Sequence, residues 1–319
     1  MQNMQQKLKP GWDEQQVRDW YEGVVAEGKK RDYADIISRV TRLPANTHTV
    51  KSYAVMSDGN PAFRITVGDV NNGNPNILLT GGVHGYEPSG IEAALAFAKD
   101  HAPHLTKEFN FVIYPCISPW AYEYDQRWNP QGEDPNRLFT RIPKAAKAGL
   151  HRTFFIDECQ SFMDSMEEEN VKFLCAIDKH ETNDRDKELR LSRAARFDEA
   201  LAPDHKEIPQ GYYLTLSQRE SAGENGRQLL FGQSIIDKVG KVSPIAPEAT
   251  ILNGRINYGG VILSPPSDGL MRTYLDNHAR LVAVTEVYPD HKDMTPEKNI
   301  EAQLASTYGA LNYIRQLRP

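Results

Sequence analysis

Four residues that could do chemistry stand at or just beyond the ends of apolar runs in this sequence. The run at 77–80 leads through Gly81-Gly82-Val83 to His84 and Glu87. The run at 171–177 leads through Asp178-Lys179 to His180, and the run at 281–287 carries Glu286 near its end. Two imidazoles and a carboxylate make a three-ligand zinc set that leaves a fourth position open for water, whereas structural zinc sites fill all four positions and favour Cys. Zinc in such a site lowers the pKa of water to about 7. A nearby carboxylate such as Glu286 could then take the water's proton and pass it to a leaving amine. His-x-x-Glu alone is common; the Gly-Gly before it, the apolar run ahead of it and a second run ending in His180 give it weight.

A second constellation is Arg127-Trp128-Asn129-Pro130-Gln131-Gly132-Glu133-Asp134-Pro135-Asn136-Arg137. An Arg beside an Asn offers a planar fork and an amide, suited to a carboxylate. A further Arg close by could polarise a scissile carbonyl. The sequence contains no GxGxxG, Walker A, HExxH or GxSxG pattern, so nucleotide binding and serine hydrolysis have no support.

These side chains must be positioned by strands. The short apolar runs at 77–80, 109–116, 171–177 and 281–287 suit central strands covered on both faces. Residues 91–98 are apolar at helical spacing behind Pro88, and 154–166 predicts a helix leading into the third strand. Strand, helix, strand order implies crossover connections and a largely parallel sheet. If the strands are parallel, His84, Glu87, His180 and Glu286 gather at one edge, where open α/β sheets bind ligands. Upstream, 12–41 is helical in spacing, and 47–70 alternates around Ser57-Asp58-Gly59-Asn60-Pro61 as a β-hairpin. Residues 187–201 read as a charged helix, and 203–211 and 223–232 as loops. No linker divides the chain, so residues 1–319 are expected to form one domain, with a helical and hairpin segment at about 1–70.

Bulk properties narrow the function. With 39% hydrophobic and 25% charged residues the 319-residue chain is of ordinary globular composition. A net charge of −6 argues against a nucleic-acid partner, which needs a basic face. Three cysteines without a CxxC argue against a disulfide framework, and Cys116 and Cys175 lie inside apolar runs where burial is expected. The N-terminus has no apolar signal segment and no stretch is long enough to span a bilayer, so no membrane association and a cytoplasmic location are expected.

Taken in order, His84-x-x-Glu87, Gly132-x-Asp134-x-Asn136-Arg137-x-Phe139, His180 and Thr285-Glu286 resemble the zinc metallocarboxypeptidases, over roughly residues 75–290. The resemblance implies a single α/β domain with a mixed, mainly parallel, eight-stranded sheet and helices on both faces. It implies one zinc ion held by His84, Glu87 and His180, the substrate's terminal carboxylate on Asn136 and Arg137, the oxyanion at Arg127, and Glu286 as general base. The family's Asp-Leu-Asn-Arg reads Asp134-Pro135-Asn136-Arg137 here, which fixes the backbone but keeps both functional side chains. A tyrosine found upstream of the glutamate in digestive members has no counterpart in Val261-Ile262-Leu263-Ser264-Pro265-Pro266. Tyr258 is the nearest upstream candidate for substrate binding, and Tyr274 lies downstream. By position, Arg272 falls where the family lines the pocket for the terminal side chain, and there it would favour an acidic one.

The expected activity is therefore hydrolysis of an amide next to a free carboxylate, removing a C-terminal amino acid from a peptide. Deacylation of small N-acyl amino acids, as in aspartoacylase-like and succinylglutamate-desuccinylase-like relatives, uses the same zinc and arginine logic. A binding protein on the same fold is the third reading, and Glu286 argues against it because binding alone needs no base.

Overall fold

The four apolar runs lie side by side in the middle of one sheet. The computed structural model describes residues 13–140, 157–186, 188–189, 208–247, 250–251 and 254–317. Its strands are β1 (His48–Val55), β2 (Pro61–Val67), β3 (Asn76–Gly81), β4 (Asn110–Tyr114), β5 (Phe173–Glu181), β6 (Tyr213–Ser217), β7 (Thr250–Ile251), β8 (Gly254–Tyr258), β9 (Val261–Ser264) and β10 (Ala279–Val287). Their order is β1-β2-β4-β3-β5-β10-β6-β9-β8-β7. The mixed sheet of eight strands from β1 to β9 is the one expected, and the β8–β7 hairpin extends it at one edge to ten. The pairs β3–β4, β3–β5, β5–β10 and β6–β9 are parallel, while β10–β6 is antiparallel.

The central strands carry apolar runs because both faces are covered, and the alternate residues of those runs serve two cores. Ile77, Leu79, Ile113, Cys175, Ile177 and Ala283 join one cluster. Leu78, Val112, Ala176 and Val282 join the other. The helices are α1 (Glu14–Glu27), α2 (Tyr33–Thr41), α3 (Pro88–Ala96), α4 (Pro119–Glu123), α5 (Asp157–Glu169), α6 (Ala222–Val239), α7 (Met271–Leu275) and α8 (Pro296–Gln316). The first face is covered by α2, α3, α6 and α8 through residues such as Ile36, Ile91, Phe231 and Leu311. The second is covered by α5 and α7 through Phe162, Met163, Met271 and Leu275. No helix among the described residues is long and apolar enough to cross a membrane.

The N-terminal helical stretch is two helices, interrupted at Gly28 with φ 81°. The hairpin is β1 with β2 as expected, turning at Gly59 with φ 86°. The expectation of a loop at 223–232 is corrected: these residues belong to α6, capped by Ser221, whose Oγ accepts the Glu224 N–H at 3.2 Å. Its glycines suggested a turn, but Gly232 serves packing, since a Cβ there would lie 2.7 Å from Leu216 and 3.1 Å from Val261. The predicted helix at 154–166 is observed from 157 as α5. The expectations for 187–201 and 203–211 fall largely outside the described residues.

Candidate active site

At β3 the chain reverses its direction of travel across the sheet: β4 lies to one side of it and β5 to the other. Crevices at the carboxyl ends of such strands are where open sheets bind ligands. Beyond β3 the backbone turns through Gly82, with φ 65°, and runs over His84 to Glu87 into α3, where Pro88 occupies the first turn. Gly85 lets this loop press on α4. A Cβ at Gly85 would lie 1.9 Å from the Ala121 carbonyl carbon and 2.0 Å from the Tyr122 nitrogen. His180 sits near the end of β5, and the parallel register places Glu286 of β10 directly beside it.

The His84 and His180 rings are 5.0 Å apart between centroids, and one ligand atom from each of His84, Glu87 and His180 lies within 4.8 Å of the others. Glu87 joins them: His84 Nδ1 is 2.7 Å from Oε1 and His180 Nδ1 is 2.8 Å from Oε2. Each far nitrogen meets another carboxylate, His84 Nε2 at 3.1 Å from Asp134 Oδ1 and His180 Nε2 at 2.8 Å from Asp178 Oδ2. Asp178 is itself steadied by the Thr80 hydroxyl at 2.7 Å.

A neutral imidazole has one donor and one acceptor nitrogen. Here each ring faces carboxylates at both nitrogens, so a neutral ring leaves one lone pair against a carboxylate. A divalent cation among Nδ1, Nδ1 and Glu87 resolves this, leaving each Nε2–H to its own aspartate in the carboxylate–histidine–metal arrangement. The donor set fits zinc, and it is the only such cluster found among the described residues.

Electrostatics point the same way. Burial opposes ionisation of Glu87, but the two imidazoles hold its carboxyl well below the usual range. Burial likewise opposes charge on His180, yet the Asp178 and Glu87 carboxylates raise its pKa well above the ordinary value. Asp134, despite burial, is held low by Arg127, Arg137 and His84. The site is built to hold positive charge.

A cavity of about 180 Å³ opens beside these residues, and Arg127, Asn136, Arg137, Thr182, Tyr213 and Glu286 are among those lining it. Arg127 is fixed by Nε and Nη2 to Asp134 Oδ2, both at 3.1 Å, and by Nη1 to the Tyr86 hydroxyl at 3.2 Å. Asn136 Oδ1 accepts the Met271 N–H at 2.9 Å, which leaves its Nδ2 donor for other use. Arg137 is exposed. Glu286 Oε2 accepts the Thr182 hydroxyl at 2.9 Å, and burial pushes the Glu286 carboxyl up to about 8.

Seven of the nine residues singled out from the sequence thus meet at one cleft. Two do not, and both are corrections. Tyr258 stands at the sheet edge on β8, 38% exposed, with its hydroxyl donating to Asp237 of α6 at 3.0 Å. Arg272 is buried and does not line the cleft; its guanidinium donates to Ser217 Oγ at 3.2 Å and to the Ser264 and Pro265 carbonyls at 3.0 and 2.6 Å. Its charge is spent on joining α7 to the ends of β6 and β9. Tyr274, the other tyrosine considered, donates to the Met163 carbonyl at 3.4 Å inside the second core.

The sequence reading assigned no role to Asp178, Asp134, Thr182 or Tyr213. Period-two alternation could have found Asp178, on the His180 face of β5, and Thr182, two residues past His180 and just beyond the strand's end. Nothing local marks Tyr213, which arrives through β6 pairing with β10.

No known protein-family model matches the sequence, and no curated protein does. Solved structures do match. A protein of Shewanella amazonensis assigned as a metallopeptidase is 20% identical, with TM-score 0.63 over 88% of this chain and 91% of that one. A metallo-carboxypeptidase of Burkholderia cenocepacia is 16% identical, with TM-score 0.59 over 90% of this chain and 69% of that one. A succinylglutamate desuccinylase/aspartoacylase of Rhodobacter sphaeroides is 15% identical, with TM-score 0.52 over 84% and 65%. The chain therefore has the α/β fold of the zinc carboxypeptidase-like hydrolases.

Proposed function

We propose that this protein is a zinc-dependent hydrolase that cleaves an amide next to a free carboxylate, removing the C-terminal amino acid of a peptide. The reading is carried by one observation: a three-ligand cluster beside a half-buried glutamate, in one cleft with an Asn-Arg pair and a second arginine. The carboxypeptidase-like fold supports it. In this reading residues 1–319 form one catalytic domain, and the free, buried cysteines Cys116, Cys159 and Cys175 support a reducing, cytoplasmic compartment.

His84, Glu87 and His180 hold the ion, and bound zinc supplies Lewis-acid polarisation and a water pKa near 7. The chain's own groups do the rest. Asn136 Nδ2 and the Arg137 fork take the substrate carboxylate and set the register of the scissile bond. Arg127, held by Asp134 and Tyr86, is preorganised to meet negative charge developing on the carbonyl oxygen. Glu286 accepts a proton from water and delivers it to the departing amine. Burial and the Glu87 and Asp186 carboxylates hold the Glu286 carboxyl up at about 8 against the opposing effect of His180; the charge of a bound divalent ion would favour its ionised, proton-accepting form.

Glu286→Gln keeps the shape and removes the proton acceptor. Zinc content is expected unchanged, and turnover of peptides ending in Glu, Lys or Phe is expected to fall by about 10²-fold or more. Unaltered turnover excludes Glu286 as the base. The modest cavity and the Rhodobacter likeness favour a second substrate class, small N-acyl amino acids, so these belong in the same panel. Hydrolysis of the N-acyl compounds without any of the peptides moves the assignment to that class.

A further inference from the structure

Glu286 is a long side chain, and a base must hold its oxygen to within about 0.5 Å of the productive position. Its Oε2 is gripped by Thr182 Oγ1 at 2.9 Å, and Thr182 Oγ1 lies 2.9 Å from the Tyr213 hydroxyl. A threonine hydroxyl has one proton to give. With that proton directed at the carboxylate, Tyr213 must be the donor into Thr182, and the chain runs from Tyr213 through Thr182 to Glu286.

Backbone geometry makes this arrangement rigid. Tyr213 is the antiparallel partner of Glu286 across β6 and β10. On the other side the Thr182 N–H donates to the Val287 carbonyl at 2.9 Å, immediately after the end of β5. The three side chains thus come from three neighbouring lines of chain, pinned to one another at the level of the base. Tyr213 is 1% and Thr182 5% exposed, so the bond between their hydroxyls is shielded from water. All three residues line the cleft.

We propose that Thr182 and Tyr213 are positioning residues for the base: the two hydroxyls fix Glu286 Oε2 and leave Oε1 as the oxygen presented to the reacting water. This rests on the reading of Glu286 as the base, and it adds a requirement that the reading alone does not make. A carboxylate without this donor turns to find another, and a buried acceptor left unpaired is costly.

The test compares Thr182→Val, Thr182→Ser and Tyr213→Phe with the wild type and Glu286→Gln, all as the zinc-loaded full chain. One readout needs no substrate: the infrared carboxylate band that disappears in Glu286→Gln. That band is expected to shift in Thr182→Val, to return in Thr182→Ser, and to shift less in Tyr213→Phe. The second readout is turnover of the best substrate in the panel. Thr182→Val is expected to lose kcat on the order of tenfold, a part of the 10²–10⁴ that a positioned base supplies, with KM and zinc content unchanged and with recovery in Thr182→Ser. A Thr182→Val protein with wild-type band and wild-type kcat overturns the proposal. If that variant does not fold, an unshifted band in Tyr213→Phe overturns it instead. If Glu286→Gln retains turnover, the base assignment fails, while the band still decides whether the hydroxyls hold this carboxylate.

Discussion

The second carboxylate on each histidine should set the affinity of the site for its ion, and Asp178 gives the cleanest measure. Asp178 is fully buried and makes two side-chain bonds, to His180 Nε2 at 2.8 Å and from the Thr80 hydroxyl at 2.7 Å. In Asp178→Asn the amide oxygen can keep the His180 Nε2–H while its NH₂ turns to the Thr80 oxygen. The count of bonds is preserved and only the charge is lost. A hydrogen bond to a charged group is worth about 1.5–3 kcal/mol and a neutral one about 0.5–1.5 kcal/mol. The difference of about 1–1.5 kcal/mol is close to a tenfold loss of zinc affinity, at the low end of what removal of such partners costs. Asp178→Ala removes the bond as well and leaves a buried Nε2–H unpaired, so about 100-fold is expected. Stripped protein titrated with zinc against a competing chromophoric chelator reads both values, with unfolding curves in excess chelator to show that the fold survives. Equal zinc affinity in wild type and Asp178→Ala, with the fold intact, would refute the assignment of His180 as a ligand tuned by Asp178.

Two other perturbations test the scaffold. Gly85→Ala sets a methyl carbon 1.9 Å from the Ala121 backbone, so the His84–Glu87 loop or α4 must move by more than an ångström; loss of zinc binding together with several kcal/mol of stability is expected by chelator titration and denaturant unfolding, and a variant with native zinc affinity contradicts the packing. Burial, aided by Lys172, lowers the pKa of His278, so the unfolded chain binds that proton more readily and stability falls as the pH drops through about 6.5; in His278→Phe the loss of stability between about pH 7.5 and 5.5 should be shallower, and parallel curves for the two proteins contradict it.

How much of this was legible follows from what each residue does. The runs at 77–80 and 281–287 announced central strands because both sheet faces are covered, which removes polar alternation. His84, Glu87, His180 and Glu286 stood out because polar residues at the ends of such runs are expensive unless they are used. The glycines of α6 misled, since Gly232 makes room for Leu216 and Val261 and serves no turn. Arg272 and Tyr258 misled for a different reason. Chain distance from Glu286 does not reveal that α7 turns the arginine toward the β6 and β9 ends, or that β8 lies at the rim of the sheet.

Tyr213 was hidden by the same kind of fact, one of strand direction. β10 pairs parallel with β5 and antiparallel with β6. The carboxyl end of β10 therefore meets the carboxyl end of one neighbour and the amino end of the other. Glu286 consequently has the His180 strand on one side and, on the other, the first residue of a strand, where a tyrosine can face the same cleft. An α/β sheet with only parallel strands would put the carboxyl end of a third strand there. The reversal at β6 is what gives Glu286 a hydroxyl neighbour from outside the parallel set, and no local pattern in residues 213–217 carries that information.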